Sequence, residues 1–165
     1  EELERLIPVL DAVSGRLDMP VSVDTFYPEC AKAALERGVS IINDVSGEFN
    51  SEMAQLAKSL ADKYKVDVYA CGDYNASENT VEYKNFLSAA GFVDAKTDAK
   101  VKNRACKTYH TLFSSVSTGT YESIDHITFA KETASKVLYY NTLINDYVID
   151  ASDHCPIYID IVTKK

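Results

Sequence analysis

The sequence predicts an α/β fold: a parallel βαβα unit continuing into a mixed sheet that ends in antiparallel strands, built as a single layered domain. Three observations predict it. Short apolar runs alternate with amphipathic helical stretches through the first half of the chain. Later segments rich in β-formers follow one another without helical periods between them. The composition is that of a folded chain, with 46% hydrophobic and 25% charged residues and only 6 Gly and 4 Pro. A length of 165 residues suits one compact domain with its own core.

The elements follow in order. Leu3, Leu6, Ile7, Leu10 and Val13 repeat at helical spacing, with Glu1, Glu2 and Glu4 near the positive end of the helix and Pro8 expected to bend or restart it. No capping residue precedes this helix, as though the chain were cut into an existing element. Val21-Ser22-Val23 reads as a short buried strand ending in Asp24-Thr25. A helix follows, with Pro28 in its first turn, Ala31, Ala34 and Leu35 inward, and Gly38 as its stop. Val39 to Val45 is a second apolar strand closed by Ser46-Gly47. Asn50 or Ser51 caps the next helix, whose inner face is Met53, Leu56, Ala57, Leu60 and Tyr64. Strand–helix–strand at this spacing implies a right-handed parallel unit. Val66 to Cys71 continues the pattern as a buried strand, and a helix begun near Asn79 or Thr80 carries Tyr83, Phe86, Leu87 and Ala90 before stopping at Gly91. Tyr109–Phe113, Ser123–Phe129, Val137–Ile144 and Pro156–Val162 are then expected as antiparallel strands.

Charge and cysteine usage narrow the function classes. A net charge of −8 argues against broad, non-specific nucleic-acid binding, which needs a basic surface to displace counterions, although a divalent cation could still reverse the field of one cleft. Cys30, Cys71, Cys106 and Cys155 form no CxxC pair, and Cys71 and Cys155 lie in apolar runs that predict buried, reduced thiols. No signal peptide and no apolar run able to span a bilayer is present, so a cytoplasmic protein without a membrane partner is expected.

Chemistry is expected where polar groups interrupt apolar runs, because a carboxylate at the end of a buried strand needs a partner. Asp73 and Asn75 follow one strand, Asp125 and His126 start another, and Asp153-His154 precede the last. Strand ends that share one rim of a sheet bring such groups together. An Asp–His pair with further carboxylates and an amide suits hydrolysis of a phosphoester, with Mg²⁺ or Mn²⁺ as the metal such a site takes.

In this order, Gly72-Asp73-Tyr74-Asn75-Ala76, Gly91-Phe92-Val93-Asp94-Ala95, Ser123-Ile124-Asp125-His126-Ile127 and Ser152-Asp153-His154-Cys155-Pro156-Ile157 resemble the endonuclease/exonuclease/phosphatase superfamily over residues 61–165. The resemblance implies that Asp73 positions the attacking water and Asn75 contacts the phosphate. It further implies that Asp125 orients His154, that His154 stabilises the transition state, and that Asp153 serves the metal. His126 stands where that family often has Tyr, and is read as structural. The superfamily's principal metal-binding Glu and a second His precede the Gly-Asp-x-Asn segment. Here none of Glu1, Glu2, Glu4, Glu29, Glu36, Glu48 and Glu52 has that context, and no His occurs before His110. The family packs two sheets face to face, and this chain is expected to hold little more than one.

Upstream, Pro20-Val21-Ser22-Val23-Asp24-Thr25, Ala31-Lys32-Ala33-Ala34-Leu35-Glu36-Arg37-Gly38 and Ile41-Ile42-Asn43-Asp44-Val45-Ser46-Gly47 resemble dihydropteroate synthase over residues 1–58. The resemblance makes Asp24 and Asn43 vestiges of pterin-binding positions at the carboxyl ends of barrel strands. The two resemblances meet within the helix 51–64, so residues 1–165 are expected as one composite domain joined inside a single amphipathic helix. Such a join is that of a recombined, engineered or selected chimera. The leading expectation is a folded chimera with no complete active site, no evolved substrate and no required cofactor. The alternatives are a residual Mg²⁺- or Mn²⁺-dependent phosphoesterase or nuclease, and an assembly module that forms a homodimer through an exposed sheet face rich in tyrosine (Tyr109, Tyr121, Tyr139, Tyr140, Tyr147 and Tyr158).

Overall fold

The computed structural model describes residues 1–46, 50–103, 107–110 and 121–163. Cys106, Gly47, Glu48 and the 111–113 part of the expected strand Tyr109–Phe113 lie outside them. The chain divides into two compact units, Glu1–Val66 and Asp67–Lys165. The α/β class is as expected, with both parallel and antiparallel pairing. No helix among the described residues is long and apolar enough to cross a membrane.

In the first unit, α1 (Glu2–Val13) runs through Pro8, which leaves one helical carbonyl without its donor but does not divide the element. Strands β1 (Ser22–Asp24) and β2 (Ile41–Asn43) pair in parallel, with Ser22 opposite Ile41 and Asp24 opposite Asn43. Between them α2 (Pro28–Leu35) starts at Pro28, where a missing N–H costs nothing, and buries Cys30, Ala31 and Ala34. Gly38, at φ +89°, turns the chain back in a conformation that disfavours any side chain. Asn50 caps α3 (Ser51–Tyr64), its side-chain oxygen accepting from the Met53 N–H at 3.0 Å. Leu10, Val23, Ala34 and Val39 form the core. The two strands are less buried than their apolar sequences predict. In β1 only Val23 is buried and Ile41 is half exposed, because a two-stranded pair covered on one face leaves alternate residues in solvent. Tyr64, placed inward by periodicity, is likewise exposed.

The second unit holds two three-stranded sheets. In one, β8 (Asp125–Ala130) lies between β3 (Tyr69–Asp73) and β4 (Phe92–Asp94), antiparallel to both. In the other, β9 (Val137–Thr142) lies between antiparallel β10 (Ile157–Ile161) and parallel β5 (Val101–Asn103). A small pair, β6 (Tyr109–His110) and β7 (Tyr121–Glu122), stands apart. Phe129, Val137, Tyr140, Ala95 and Ala99 form a core against which Ile127, Ile157 and Ile159 also pack, so the sheets share one apolar filling. The expectation of little more than one sheet is thereby corrected. Strands of two to six residues are too short for periodicity to count them.

Helical structure also interrupts the late β-rich stretch, contrary to expectation. A 3₁₀ segment spans Lys131–Lys136, and α6 (Asp146–Ala151) is capped by Asn145, whose side chain accepts from the Val148 N–H at 3.0 Å. Of the tyrosines expected on an exposed sheet face, Tyr140 is buried in the core and Tyr147 projects from α6 instead.

Alternation along β8 organises this unit. Ile127 and Phe129 face the shared core, whereas His126 and Thr128 face away from it and are also buried. Helix α4 (Val81–Ala90) buries Tyr83, Phe86 and Ala90; it is capped by Thr80 and ends at Gly91, whose φ of +67° suits glycine. Tyr74 and Tyr83 pack against the His126 ring. Phe129 is fully buried, so Phe129→Ala should destabilise the unit Asp67–Lys165 by about 3–5 kcal/mol. Urea unfolding followed by circular dichroism measures this directly.

Candidate active site

Three of the expected site residues converge in the second unit. Asp73 ends β3, Asp125 begins β8, and the antiparallel register sets them opposite one another, so both carboxylates lie on one face. His154, on the segment before β10, directs Nδ1 to Asp125, at 2.9 Å from Oδ2 and 3.1 Å from Oδ1. Its Nε2 lies 4.0 Å from Asp73 Oδ2, beyond hydrogen-bond reach. Burial alone would lower the His154 pKa. The hydrogen bond to Asp125 and the charges of Asp125, Asp73 and Asp153 outweigh it, so the imidazole holds its proton above the ordinary range.

These groups open onto a cavity of about 500 Å³ lined also by Cys71, Ile127, Val148, Ala151, Pro156 and Ile157. Cys71 is exposed there, contrary to the buried thiol expected, because its strand ends at the cavity mouth; Cys155 is a buried thiol as expected. Asn75 and Asp153 stand differently. Asn75, at φ +48°, gives its backbone N–H to Asp73 Oδ1 at 2.8 Å and so fixes that carboxylate, while its exposed side chain does not line the cavity. Asp153 is exposed and outside the cavity wall. Among the described residues no three His, Cys, Asp or Glu groups converge as a set of metal ligands.

Two further groups stand beside the cluster, and the first, Thr108, is not evident from sequence. Thr108 is fully buried; its Oγ1 accepts from the Ile124 and Asp125 N–H groups, both at 3.1 Å, and its carbonyl accepts from the Cys155 N–H. One residue thus ties the Asp125 strand to the His154 segment. Behind β8, His126 Nδ1 is 2.8 Å from Asp94 Oδ2, and its Nε2 is 2.8 Å from the Ala76 carbonyl. Both partners only accept, so both ring nitrogens must carry hydrogens and the ring is an imidazolium paired with a carboxylate. Tyr83 also donates to Asp94 Oδ2, and the Lys96 N–H to Oδ1. Burial opposes each charge. The hydrogen bonds win, raising the His126 pKa and lowering that of Asp94. The Gly91-Phe92-Val93-Asp94-Ala95 run was the one sequence signal for this group.

In the first unit, the two pterin-like positions lie side by side in register. Asn43 Nδ2 donates to Asp24 Oδ2 at 3.1 Å, so each exposed group satisfies the other.

The buried pair sets a pH dependence. A His raised in the folded state stabilises fully below its unfolded value and loses that contribution as pH rises through its folded pKa. An Asp lowered in the folded state loses its contribution as pH falls through its own. Asp94→Asn should therefore cost about 3–5 kcal/mol between about pH 4 and pH 6, with the penalty shrinking above the raised His126 value. Urea titrations of both proteins across pH measure it.

The family model for pterin binding enzymes matches residues 1–91. A dihydropteroate synthase from Streptococcus pyogenes is 43% identical over 96 residues, covering 54% of this chain and 34% of that protein. One from Clostridium beijerinckii is 36% identical over 88 residues, covering 53% and 30%. The chain thus spans about a third of the length of these curated relatives. Among solved structures, the mannosyl-6-phosphatase Bt3783 from Bacteroides thetaiotaomicron matches with a TM-score of 0.52 at 24% identity, over 68% of this chain and 45% of that one. An endonuclease/exonuclease/phosphatase family protein from the same organism matches at 0.50 and 20%, over 70% and 45%. These likenesses are of fold. The pterin-type match reaches past residue 58, where the motifs end, and takes in β3 and α4. Matched over more than half of its 165 residues, the chain belongs to the pterin binding enzyme family, and it carries in addition a part with the fold of the endonuclease/exonuclease/phosphatase proteins.

Proposed function

We propose that this chain is a recombination of two parental fragments with neither parent's complete site within its 165 residues, and that its remaining chemistry is slow phosphoester hydrolysis at the Asp73–Asp125–His154 cluster. One observation carries the reading: His154 is held between two carboxylates, one hydrogen-bonded and one 4.0 Å away, at the mouth of a cavity of about 500 Å³. The pterin-like pair supports no turnover of its own, since Asp24 and Asn43 are engaged with each other in the open.

The groups divide the work by their hydrogens. Asp125 accepts from Nδ1 and fixes the ring, so Nε2–H points toward Asp73. A phosphoryl oxygen bound by Nε2–H gains a charge-assisted hydrogen bond as negative charge builds on it. Asp73, held by the Asn75 N–H through its other oxygen, accepts the proton of the attacking water. The water oxygen bonds to phosphorus, the bond to the leaving oxygen breaks, and that oxygen takes a proton from solvent. No metal ion is required in this scheme, which uses only the donors that converge.

The test is hydrolysis of bis(p-nitrophenyl) phosphate by the full chain and by His154→Ala, with Mg²⁺, with Mn²⁺ and with EDTA. We expect slow turnover that EDTA leaves unchanged and that the substitution lowers about 100-fold or to background. The rate should fall as pH rises through the raised His154 pKa, and Asp125→Asn should move that limb to lower pH, since it removes the charge that holds the proton. A rate indifferent to His154→Ala would overturn the proposal.

A further inference from the structure

The walls of the same cavity point to its substrate class, an inference that rests on the reading of this site as phosphoester-directed. We infer that it takes a phosphodiester bearing an apolar, aryl-sized group, and discriminates against dianionic phosphomonoesters. Two observations carry this. The cavity wall carries the carboxylates of Asp73 and Asp125, and no Lys or Arg among the described residues lines it. A monoester brings two negative charges into this field, whereas a diester brings one.

The rest of the wall is mostly apolar, with Ser152 and His126 as its other polar residues: Ile127 on β8, Val148 and Ala151 on α6, and Pro156 and Ile157 all line it. A volume of about 500 Å³ holds an aromatic ring beside the phosphoryl group, and burying that ring supplies binding that the weak anion site does not. Specificity arises from both effects: attraction of the apolar group and repulsion of the extra charge.

Binding separates this inference from the hydrolytic one. The imidazole resonances of His154 in the full chain are followed by NMR during titration with diphenyl phosphate, dimethyl phosphate or phenyl phosphate. The buried His126 serves as an internal report on the fold. Diphenyl phosphate is expected to shift His154 with an affinity at least about 10-fold above that of dimethyl phosphate, which lacks the apolar groups, and of phenyl phosphate, which is dianionic. Val148→Asp should abolish that advantage while leaving the His126 signal in place. If that variant disturbs His126, Val148→Asn reports the same loss more mildly.

Preference for diphenyl phosphate without turnover of any ester would sustain the substrate class and sink the hydrolytic proposal. Turnover lost in His154→Ala, combined with equal or tighter binding of phenyl phosphate, would leave hydrolysis standing and overturn the substrate class. His154 resonances that no ligand moves would also overturn it.

Discussion

The register of β8 between β3 and β4 is the constraint on which the second unit depends. Side chains alternate across a strand, so one register assigns Asp125, Ile127 and Phe129 to the shared core and cavity, and His126, Thr128 and Ala130 to the opposite face. A slip of one residue would exchange the sets, placing an imidazolium in the apolar core and Phe129 against Asp94. Two devices resist it. Phe129 fills the space between the sheets, and His126 reaches both a carboxylate and a carbonyl at 2.8 Å. The apolar and the ionic contact specify the same alignment from opposite sides.

That arrangement also explains why two histidines on neighbouring elements have different characters. Both are paired with an aspartate and both hold their proton above the ordinary range. His126 is enclosed, with Tyr83 stacked 4.2 Å from its ring centre and both nitrogens engaged. Both halves of its pair are buried, so breaking either one strands a buried charge. His154 is only partly enclosed, with one nitrogen on Asp125 and the other turned to the cavity. The same His–Asp pairing is closed off in one place and open to a cavity in the other.

How much of this was legible depended on the range of each interaction. The strand-end carboxylates and the Asp–His dipeptides stood out because a polar group beside an apolar run is a local signal, and Asp73, Asp125 and His154 do meet. Thr108 gives no such signal. Its importance comes from joining residues 16, 17 and 47 positions away, a geometry that no local pattern encodes. Asp94 was visible within a motif but not as the partner of His126, 32 residues on. The second sheet was missed because β5 has three residues, and α6 because its single turn and a half sits inside a β-rich composition. Cys71 was judged by its apolar neighbours, yet a strand end at a cavity exposes what the middle of that strand would bury.

The pterin-type match runs to residue 91 and so includes β3 and α4, elements that also belong to the second unit. Pairing is not encoded in spacing. β3 carries the right residues for a parallel strand in a repeated unit, yet Tyr69 to Asp73 find their hydrogen bonds on Phe129 to Asp125 in the antiparallel sense. A strand with one strong apolar neighbour in β8 accepts either direction, because direction changes the hydrogen-bond pattern and leaves the alternation of faces intact. Tolerance of this kind lets a segment be shared by two architectures. It also locates the cost: the face of β3 is preserved while its carboxyl end, which in a parallel barrel would look onto loops from several strands, looks here onto Asp125 and His154. The surroundings of Asp73 are therefore set by the strand it pairs with.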